Sequence, residues 1–338
     1  MFDIFDLKIH QEILPKNGRV LVAPLDWGIG HATRCIPIIK QLIDRGYTPI
    51  IASSSSALAL LQQVFPKAMF VELPSYKVKY AKNPRLFTLK LLWQLPTFIK
   101  TVKAEKRIID QLVEDKKIDA IISDNRFGVY HKNIPSIYIT HQLRVKSGIM
   151  TYFTTIIHQK IIEKYTICWV PDVADLSNLS GDLSHNVKTK KPPIYVGILS
   201  PLLKETLPIK YDILFLLSGP EPQRRLLEEK ISSQLHLLKK RVCIVQGVIE
   251  KKTKKSQKNK VTTYNYLLGK ELNKVINQSQ LVVARSGYST IMDLVKLNKN
   301  AFYIPTPRQD EQLYLAEHLK NRNIARFVLQ EDFSVKLL

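Results

Sequence analysis

Residues 281–293, LVVARSGYSTIMD, join an apolar run to an Arg-Ser-Gly turn and a helical stretch. The run Leu281–Ala284 predicts a buried strand, because short apolar segments that end in turn residues are typical of parallel sheets. Arg285, Ser286 and Gly287 would then bring a cation, a hydroxyl and free backbone amides to the start of the following helix. We therefore predict a strand, loop and helix of an α/β fold, with a loop that binds a diphosphate.

The residues after this loop carry polar groups at spacings suited to a sugar nucleotide. Asp293 lies one to two helical turns along the predicted helix and offers a carboxylate to a ribose diol. A second apolar run, Ala301–Ile304, is followed by Asp310 and Gln312 at the next predicted helix start. We expect these last two side chains to contact sugar hydroxyls.

Short apolar runs alternate with amphipathic stretches along the chain, which is typical of parallel α/β units. The first series of predicted strands comprises Arg19–Pro24, Thr48–Ala52, Ile118–Ile122, Ser136–Ile139 and Ile167–Val170, with a helix from His31 to Arg45. The second series comprises Tyr211–Leu217, Arg241–Gln246, Leu281–Ala284 and Ala301–Ile304. A break without periodicity, which contains two prolines, separates them. It predicts two doubly wound Rossmann-like domains, residues 1–200 and 211–338, joined by a linker at 201–210.

A glycine loop follows the first predicted strand. Residues 26–34 read DWGIGHATR, in which Gly28 and Gly30 allow a sharp turn and His31 is suited to accept a proton near neutral pH. The loop lacks the third glycine of a dinucleotide fingerprint and the Lys-Ser/Thr pair of a P-loop, so we predict neither. Its place at a strand end favours a catalytic histidine, and the alternative is that His31 only caps the helix.

Two other strand ends carry candidate residues. Ser218 and Gly219 follow Tyr211–Leu217 and would present backbone donors to a phosphate, although a plain tight turn has the same pattern. Asp124 follows Ile118–Ile122 at the same predicted sheet edge as the glycine loop, where it would position an acceptor or cap a turn. No group of His, Cys, Asp and Glu has metal-ligand spacing, so we predict no metal and no cofactor.

The formal net charge of +22 is divided equally between residues 1–200 and 201–338. Such a surplus implies an anionic partner, unless it only reflects a basic proteome. Residues 77–107 hold nine basic side chains and one acid, interleaved with Leu, Phe and Trp. Lys77–Arg107 therefore predicts either an amphipathic segment that docks on an anionic membrane or a helix with one face in the core. Residues 250–260, EKKTKKSQKNK, predict a solvated loop.

The motifs taken together resemble glycosyltransferase family 28. The family pattern runs from a strand through Arg-(Ser/Ala)-Gly to a Thr and an acidic residue, and then through Pro to Asp-x-Gln. The matching residues here are Arg285, Gly287, Thr290, Pro305, Asp310 and Gln312. Asp293 replaces the family's glutamate, and Leu313 stands where a second glutamine is frequent. His31 falls at the family's histidine.

This resemblance implies a GT-B fold, in which two Rossmann-like domains face a cleft. It also implies a glycosyltransferase whose C-terminal domain binds a UDP-sugar, for which UDP-N-acetylglucosamine is the expectation. The reaction would be inverting and metal-independent, with a lipid-linked acceptor as the expectation. The expected location is the cytoplasm, including the inner face of the cytoplasmic membrane.

Two other enzyme classes stay open, since residues 28–35 also resemble UDP-sugar hydrolases of the same fold and an epimerase would bind the same donor. A nucleic-acid binder would explain the charge, but it gives no reason for the spacing from Arg285 to Gln312, and no nucleic-acid motif is present.

Overall fold

A computed structural model describes residues 6, 12–76, 87–248, 250 and 252–338. The chain divides into two compact units, Met1–Ser200 and Pro201–Leu338. Residues 201–210, the predicted linker, have no regular secondary structure. Each predicted strand is present and in the predicted order, and both units also contain strands that the sequence does not predict.

The N-terminal unit is built on a seven-stranded parallel sheet with the order β3-β2-β1-β4-β5-β6-β7. Its strands are β1 (Arg19–Pro24), β2 (Thr48–Ser53), β3 (Met69–Glu72), β4 (Ala120–Asp124), β5 (Ser136–Ile139), β6 (Ile167–Val170) and β7 (Ile194–Tyr195). Its helices are α1 (Gly30–Asp44), α2 (Ser55–Val64), α3 (Phe87–Glu114) and α4 (Thr151–Ile162). The central strands are buried along their whole length, because helices cover both faces of a doubly wound sheet.

The winding of this sheet reverses between β1 and β4. The chain runs outward from β1 to β3 and then returns to start β4 on the other side of β1. Pro24 at the end of β1 pairs with Asp124 at the end of β4, so the loops that follow these two strands begin side by side. In open α/β sheets such a reversal opens a crevice at the carboxyl ends of the strands, where ligands bind.

The C-terminal unit has a second seven-stranded sheet with the order β10-β11-β9-β8-β12-β13-β14. Its strands are β8 (Tyr211–Leu216), β9 (Val242–Val245), β10 (Lys255–Lys258), β11 (Val261–Tyr264), β12 (Ser279–Ala284), β13 (Asn300–Tyr303) and β14 (Arg326–Phe327). Its helices are α5 (Gln223–Ser232), α6 (Gly269–Asn277), α7 (Tyr288–Lys296) and α8 (Asp310–Asn321). Here the winding reverses between β8 and β12, where Leu216 pairs with Ala284.

Two predictions about secondary structure need correction. Residues 250–260 do not form only a loop, because β10 pairs antiparallel with β11 at the edge of the sheet. Asn259, with a φ of 53°, makes the tight turn between these strands, and the lysines of β10 stay exposed. The fourth strand spans Ala120–Asp124 instead of 118–122, which moves Asp124 from the loop into the end of the strand.

The segment Lys77–Arg107 falls partly outside the described residues, since 77–86 are not described. From Phe87 onward it belongs to α3. Glu105 and Ile109 of this helix are buried, whereas Leu95 and Ile99 are 50% and 46% exposed. The described part of α3 therefore has one face in the core and exposed apolar side chains elsewhere, and docking on a membrane stays a prediction. Within the ranges described, no helix is both long and apolar enough to cross a membrane.

Candidate active site

The glycine loop of the N-terminal unit lies at the reversal between β1 and β4. Gly28 has a φ of 84°, a conformation that side chains with a Cβ rarely adopt, and its N–H donates to the Asp26 carbonyl at 2.9 Å. The loop then enters α1 at Gly30. This turn brings His31, in the first turn of α1, to the end of β4.

His31 and Asp124 form a close pair at this edge. Nδ1 of His31 lies 3.1 Å from Oδ1 of Asp124, and their side chains are 18% and 0% exposed. The sequence predicts that Asp124 positions an acceptor or caps a turn, and its full burial leaves no surface for a direct contact with an acceptor. The carboxylate instead contacts the imidazole, and a carboxylate on Nδ1 leaves Nε2 of the ring to accept a proton.

Arg34, one turn further along α1, shares the same carboxylate. Its Nε donates to Asp124 Oδ2 at 2.6 Å, and its terminal NH2 group contacts Oδ1. The same NH2 group lies 2.8 Å from Nδ1 of His31, and the other terminal nitrogen lies 3.4 Å from Nδ1 of His141. Sequence reasoning did not single out Arg34, although its spacing of three residues from His31 along α1 places both on the same helix face.

The charges in this cluster move two pKa values in the same direction. Burial alone would raise the pKa of Asp124, but the charges of Arg34 and His31 and their hydrogen bonds outweigh it and hold the pKa well below its usual range. The pKa of His31 is lowered by burial and by the positive charge of Arg34, and Asp124 opposes this shift only in part. The histidine is therefore favoured in its neutral, proton-accepting form.

In the C-terminal unit, the loops after β8 and β12 start side by side at the second reversal. Ser218 and Gly219 are exposed, and Gly219 has a φ of 103°. Gly287 directly precedes α7, and a side chain added there would meet open space. The edge thus offers accessible backbone and the N-terminus of a helix, an arrangement suited to phosphate oxygens.

Arg285 does not face this open edge. It is 1% exposed and donates to the carbonyls of Ile304, Pro305 and Gln223 and to Oε1 of Gln330, at 2.6 to 3.1 Å. Burial lowers its pKa to about 10. The expected direct contact with a diphosphate is therefore replaced by a role in which Arg285 ties the loop to three other segments.

Ser286 and Gln312 are also engaged inside the unit. The Ser286 hydroxyl donates to the Gln312 carbonyl at 2.7 Å. The side-chain oxygen of Gln312 accepts from the Thr306 N–H at 2.9 Å, and its nitrogen donates to Gln309 at 2.6 Å. These bonds hold the start of α8 against the end of β13. Gln312 is thus placed at the expected edge, with its amide occupied by the protein.

The remaining predicted donor residues lie on the helices at this edge. Thr290 and Asp293 are half-buried on α7, and Asp310 is exposed at the start of α8. Sequence reasoning missed Gln223 and Gln330, because each contacts Arg285 across the fold. It also missed Gln309, whose contact with Gln312 is local. Over the described part of the chain, no three or more His, Cys, Asp or Glu side chains group as metal ligands, and metal independence stays a prediction.

Comparisons with known proteins agree with this geometry. Residues 214–338 match the model of the glycosyltransferase family 28 C-terminal domain. The C-terminal unit is thus similar in sequence to the C-terminal domain of family 28 glycosyltransferases. The match contains every predicted donor residue from Ser218 to Gln312, and it confirms the predicted class of enzyme.

Two relatives are similar over different lengths. The UDP-N-acetylglucosamine–N-acetylmuramyl-(pentapeptide) pyrophosphoryl-undecaprenol N-acetylglucosamine transferase of Buchnera aphidicola is 31% identical over 91 residues. That match spans 26% of this chain and only a quarter of the relative's own length. An uncharacterized glycosyltransferase of Methanopyrus kandleri is 24% identical over 322 residues, 88% of each chain.

A likeness to solved structures extends over both units. The crystal structure of the glycotransferase of kitacinnamycin superposes with a TM-score of 0.66 over 95% of this chain and 88% of that chain, at 15% identity. Together with the two predominantly parallel sheets, this likeness confirms the two Rossmann-like domains of the predicted GT-B fold.

Proposed function

We propose that the protein transfers a sugar from a UDP-sugar to an acceptor hydroxyl, with inversion and without a metal. The observation that carries this proposal is the pair of His31 and the buried carboxylate of Asp124, 3.1 Å apart at the ligand-binding edge of the N-terminal sheet. A neutral histidine held by a carboxylate is suited to take the proton of a hydroxyl nucleophile. The match of residues 214–338 to the family 28 C-terminal domain supports a donor site in the C-terminal unit.

In the proposed reaction, Nε2 of His31 accepts the proton of the acceptor hydroxyl as its oxygen attacks the anomeric carbon. The bond from that carbon to the UDP oxygen breaks on the opposite face, and its electron pair leaves with the diphosphate. The backbone at Ser218 and Gly219 and the N-terminus of α7 at Gly287 stabilise the charge that develops there. The imidazolium formed is stabilised by Asp124 and then releases its proton to water.

The choice of donor follows from the relatives. The transferase of Buchnera aphidicola carries UDP-N-acetylglucosamine in its name, and N-acetylglucosamine is therefore the sugar we propose. Asp293 would bind the ribose, and Thr290 and Asp310 would contact the diphosphate and the sugar. Because Asp293 is one methylene shorter than the glutamate of the family pattern, we expect a weaker ribose contact unless the helix lies closer to the nucleotide.

The acceptor we propose is lipid-linked and is reached at an anionic membrane surface. Trp27 on the glycine loop is 42% exposed and contacts Tyr76 edge-on, with 6.1 Å between ring centroids. Tyr76 packs on Phe98 of α3 at 5.0 Å, close in sequence to the exposed Leu95 and Ile99. Contacting apolar side chains therefore connect the glycine loop before His31 to the exposed face of α3, the described part of the segment proposed for membrane docking.

A second apolar surface supports the same proposal. The residues from Gly148 into α4 expose a run of large apolar side chains: Ile149 at 100%, Met150 at 45%, Tyr152 at 70%, Phe153 at 59% and Ile157 at 60%. Residues 143–162 contain three basic side chains and no acid. A surface that combines exposed apolar groups with positive charge fits the interface of an anionic bilayer.

The donor is tested with a thermal-shift panel of UDP, GDP, dTDP and their sugars. Ligands that bind only the folded protein raise its apparent stability by mass action, so we expect the largest shift with UDP and UDP-N-acetylglucosamine. A larger shift with GDP or dTDP would contradict the proposed donor, and no shift with any nucleotide would contradict the whole proposal.

Transfer is separated from hydrolysis by measuring UDP release. We expect release from UDP-N-acetylglucosamine to need a polyprenyl-diphosphate sugar as acceptor. Rapid release in water alone, with free N-acetylglucosamine as product, would show a hydrolase instead.

A further inference from the structure

The nitrogen Nδ1 of His31 has two competing neighbours. It lies 3.1 Å from Oδ1 of Asp124, to which it can only donate, and 2.8 Å from the NH2 group of Arg34, from which it can only accept. A neutral imidazole cannot do both. With the proton on Nδ1 the ring faces Asp124 and Nε2 is a base, whereas the contact with Arg34 requires the proton on Nε2.

We propose that Arg34 is a positioning residue for His31, which holds Asp124 in place and keeps the imidazole neutral until an acceptor hydroxyl is bound. This inference rests on the proposed function. Arg34 is 2% exposed and binds both carboxylate oxygens of Asp124, so its place is fixed by a two-point contact. Its charge therefore stays at hydrogen-bond distance from the ring.

The groups that face His31 come from three elements of the N-terminal unit. Arg34 lies on α1, Asp124 ends β4, and His141 follows β5, with its Nδ1 3.4 Å from Arg34. Asp124 alone would favour the protonated ring. The guanidinium opposes it, because bringing a second positive charge next to Arg34 costs free energy. The lowered pKa of His31 agrees with this balance.

The arrangement has a chemical consequence for the proposed reaction. Without Arg34, the pair of His31 and Asp124 would take up a proton from water and would then be unable to accept one from the acceptor. With Arg34, proton uptake is held back until the acceptor oxygen attacks. The positioning residue thus widens, toward acid pH, the range in which the ring is neutral. Of the two neutral forms, the one with its proton on Nδ1, toward Asp124, has Nε2 as the base.

The test is an NMR titration of the histidine Cε1–H signals in the whole protein, with the His31 signal assigned by its loss in His31→Gln. We expect Arg34→Gln to raise the pKa of His31 by roughly one unit or more, since it removes a positive charge in contact with the ring. Arg34→Lys keeps a charge and should raise it less. Arg19→Gln is the matched control. Arg19 makes the same kind of ion pair, with 2.9 Å between its NH2 group and Oδ1 of Asp119, and this pair is not in contact with His31.

An unchanged or lowered pKa in a folded Arg34→Gln protein would overturn the proposal. If that variant does not fold, the wild-type signal decides, because a His31 pKa at or above the ordinary 6.5 contradicts the role assigned to Arg34. The titration needs no turnover, so it can succeed even where the proposed transfer fails. Where transfer is observed, the acid limb of the profile of kcat/KM against pH should move to higher pH in Arg34→Gln. In Arg19→Gln it should stay at the wild-type pH.

Discussion

At the scale of single residues, the proposed mechanism has the ring of His31 exchange the proton and the carboxylate of Asp124 orient the ring. We expect His31→Gln to lower kcat about 100- to 10,000-fold, the usual contribution of general-base catalysis, while UDP affinity stays the same. Steady-state transfer rates and calorimetric UDP binding measure the two effects. His236→Gln, at an exposed position of the C-terminal unit, is the control. Undiminished turnover in His31→Gln would show that His31 is not the general base.

A second histidine carries a prediction about stability. His158 on α4 is 8% exposed, and its Nε2 lies 3.0 Å from the Tyr138 hydroxyl. Burial lowers its pKa to about 4. Below about pH 6.5 the unfolded chain therefore binds a proton at His158 that the folded chain does not bind. The contribution of this site to the free energy of unfolding is fully present above pH 6.5 and is lost as the pH falls toward 4.

This loss is measured by urea unfolding at pH 7 and pH 5. For a single site with these two pKa values, we expect the wild type to lose roughly 2 kcal/mol more than His158→Gln over this interval. His236→Gln should keep the wild-type dependence. Equal losses in His158→Gln and wild type would mean that another group titrates.

At the scale of elements, Arg285 connects the loop after β12 to three other segments. We expect Arg285→Gln to lower the free energy of unfolding by about 2 to 4 kcal/mol, since buried carbonyls lose their charged donor. UDP affinity should fall with it, because the loop before α7 is no longer held. Arg225→Gln, at a 59% exposed helical ion pair, should change stability by less than about 0.5 kcal/mol.

Urea unfolding and UDP calorimetry on both variants check this prediction. A folded Arg285→Gln protein that keeps its stability but loses UDP binding would contradict the structural role. That result would restore the direct diphosphate contact that the motif predicts.

The elements that could be predicted from sequence are those whose pattern is local. Arg19–Pro24, Ser136–Ile139 and Ile167–Val170 agree at both ends with β1, β5 and β6, because central parallel strands are short, continuous apolar runs. Edge strands were missed. Lys255–Lys258 has no apolar residue and is a strand only because β11 offers it backbone partners.

The candidate site also has features that a local pattern predicts and features that depend on contacts across the fold. The glycine loops and the order of donor residues follow from turn chemistry and spacing, which are visible in the chain. The roles of Arg34, Asp124 and Arg285 depend on pairing across the fold, as in the register that sets Asp124 beside Pro24. An arginine in a loop predicts an anion contact, and only burial shows that its hydrogen bonds are already occupied by carbonyls.

At the scale of the whole molecule, the charge of +22 and the exposed apolar side chains would make separate contributions to the proposed membrane docking. Each Lys or Arg near an anionic leaflet contributes roughly 1 kcal/mol, and salt screens this attraction within a Debye length. Burial of apolar side chains in the interface is far less sensitive to salt. We therefore expect the protein to sediment with anionic vesicles at low salt and to be released in part at high salt.

Two sets of variants separate these contributions. Lys100→Gln, Lys103→Gln and Arg107→Gln, at exposed positions of α3, should reduce binding at low salt and flatten its dependence on salt. Tyr152→Ser, Phe153→Ser and Ile157→Ser should reduce the binding that remains at high salt. Leu176→Ser is the control, because Leu176 is 94% exposed on the loop after β6 and lies outside both surfaces. Sedimentation that is weak at low salt, or equal with neutral vesicles, would contradict docking on an anionic membrane, and the charge would then need another partner.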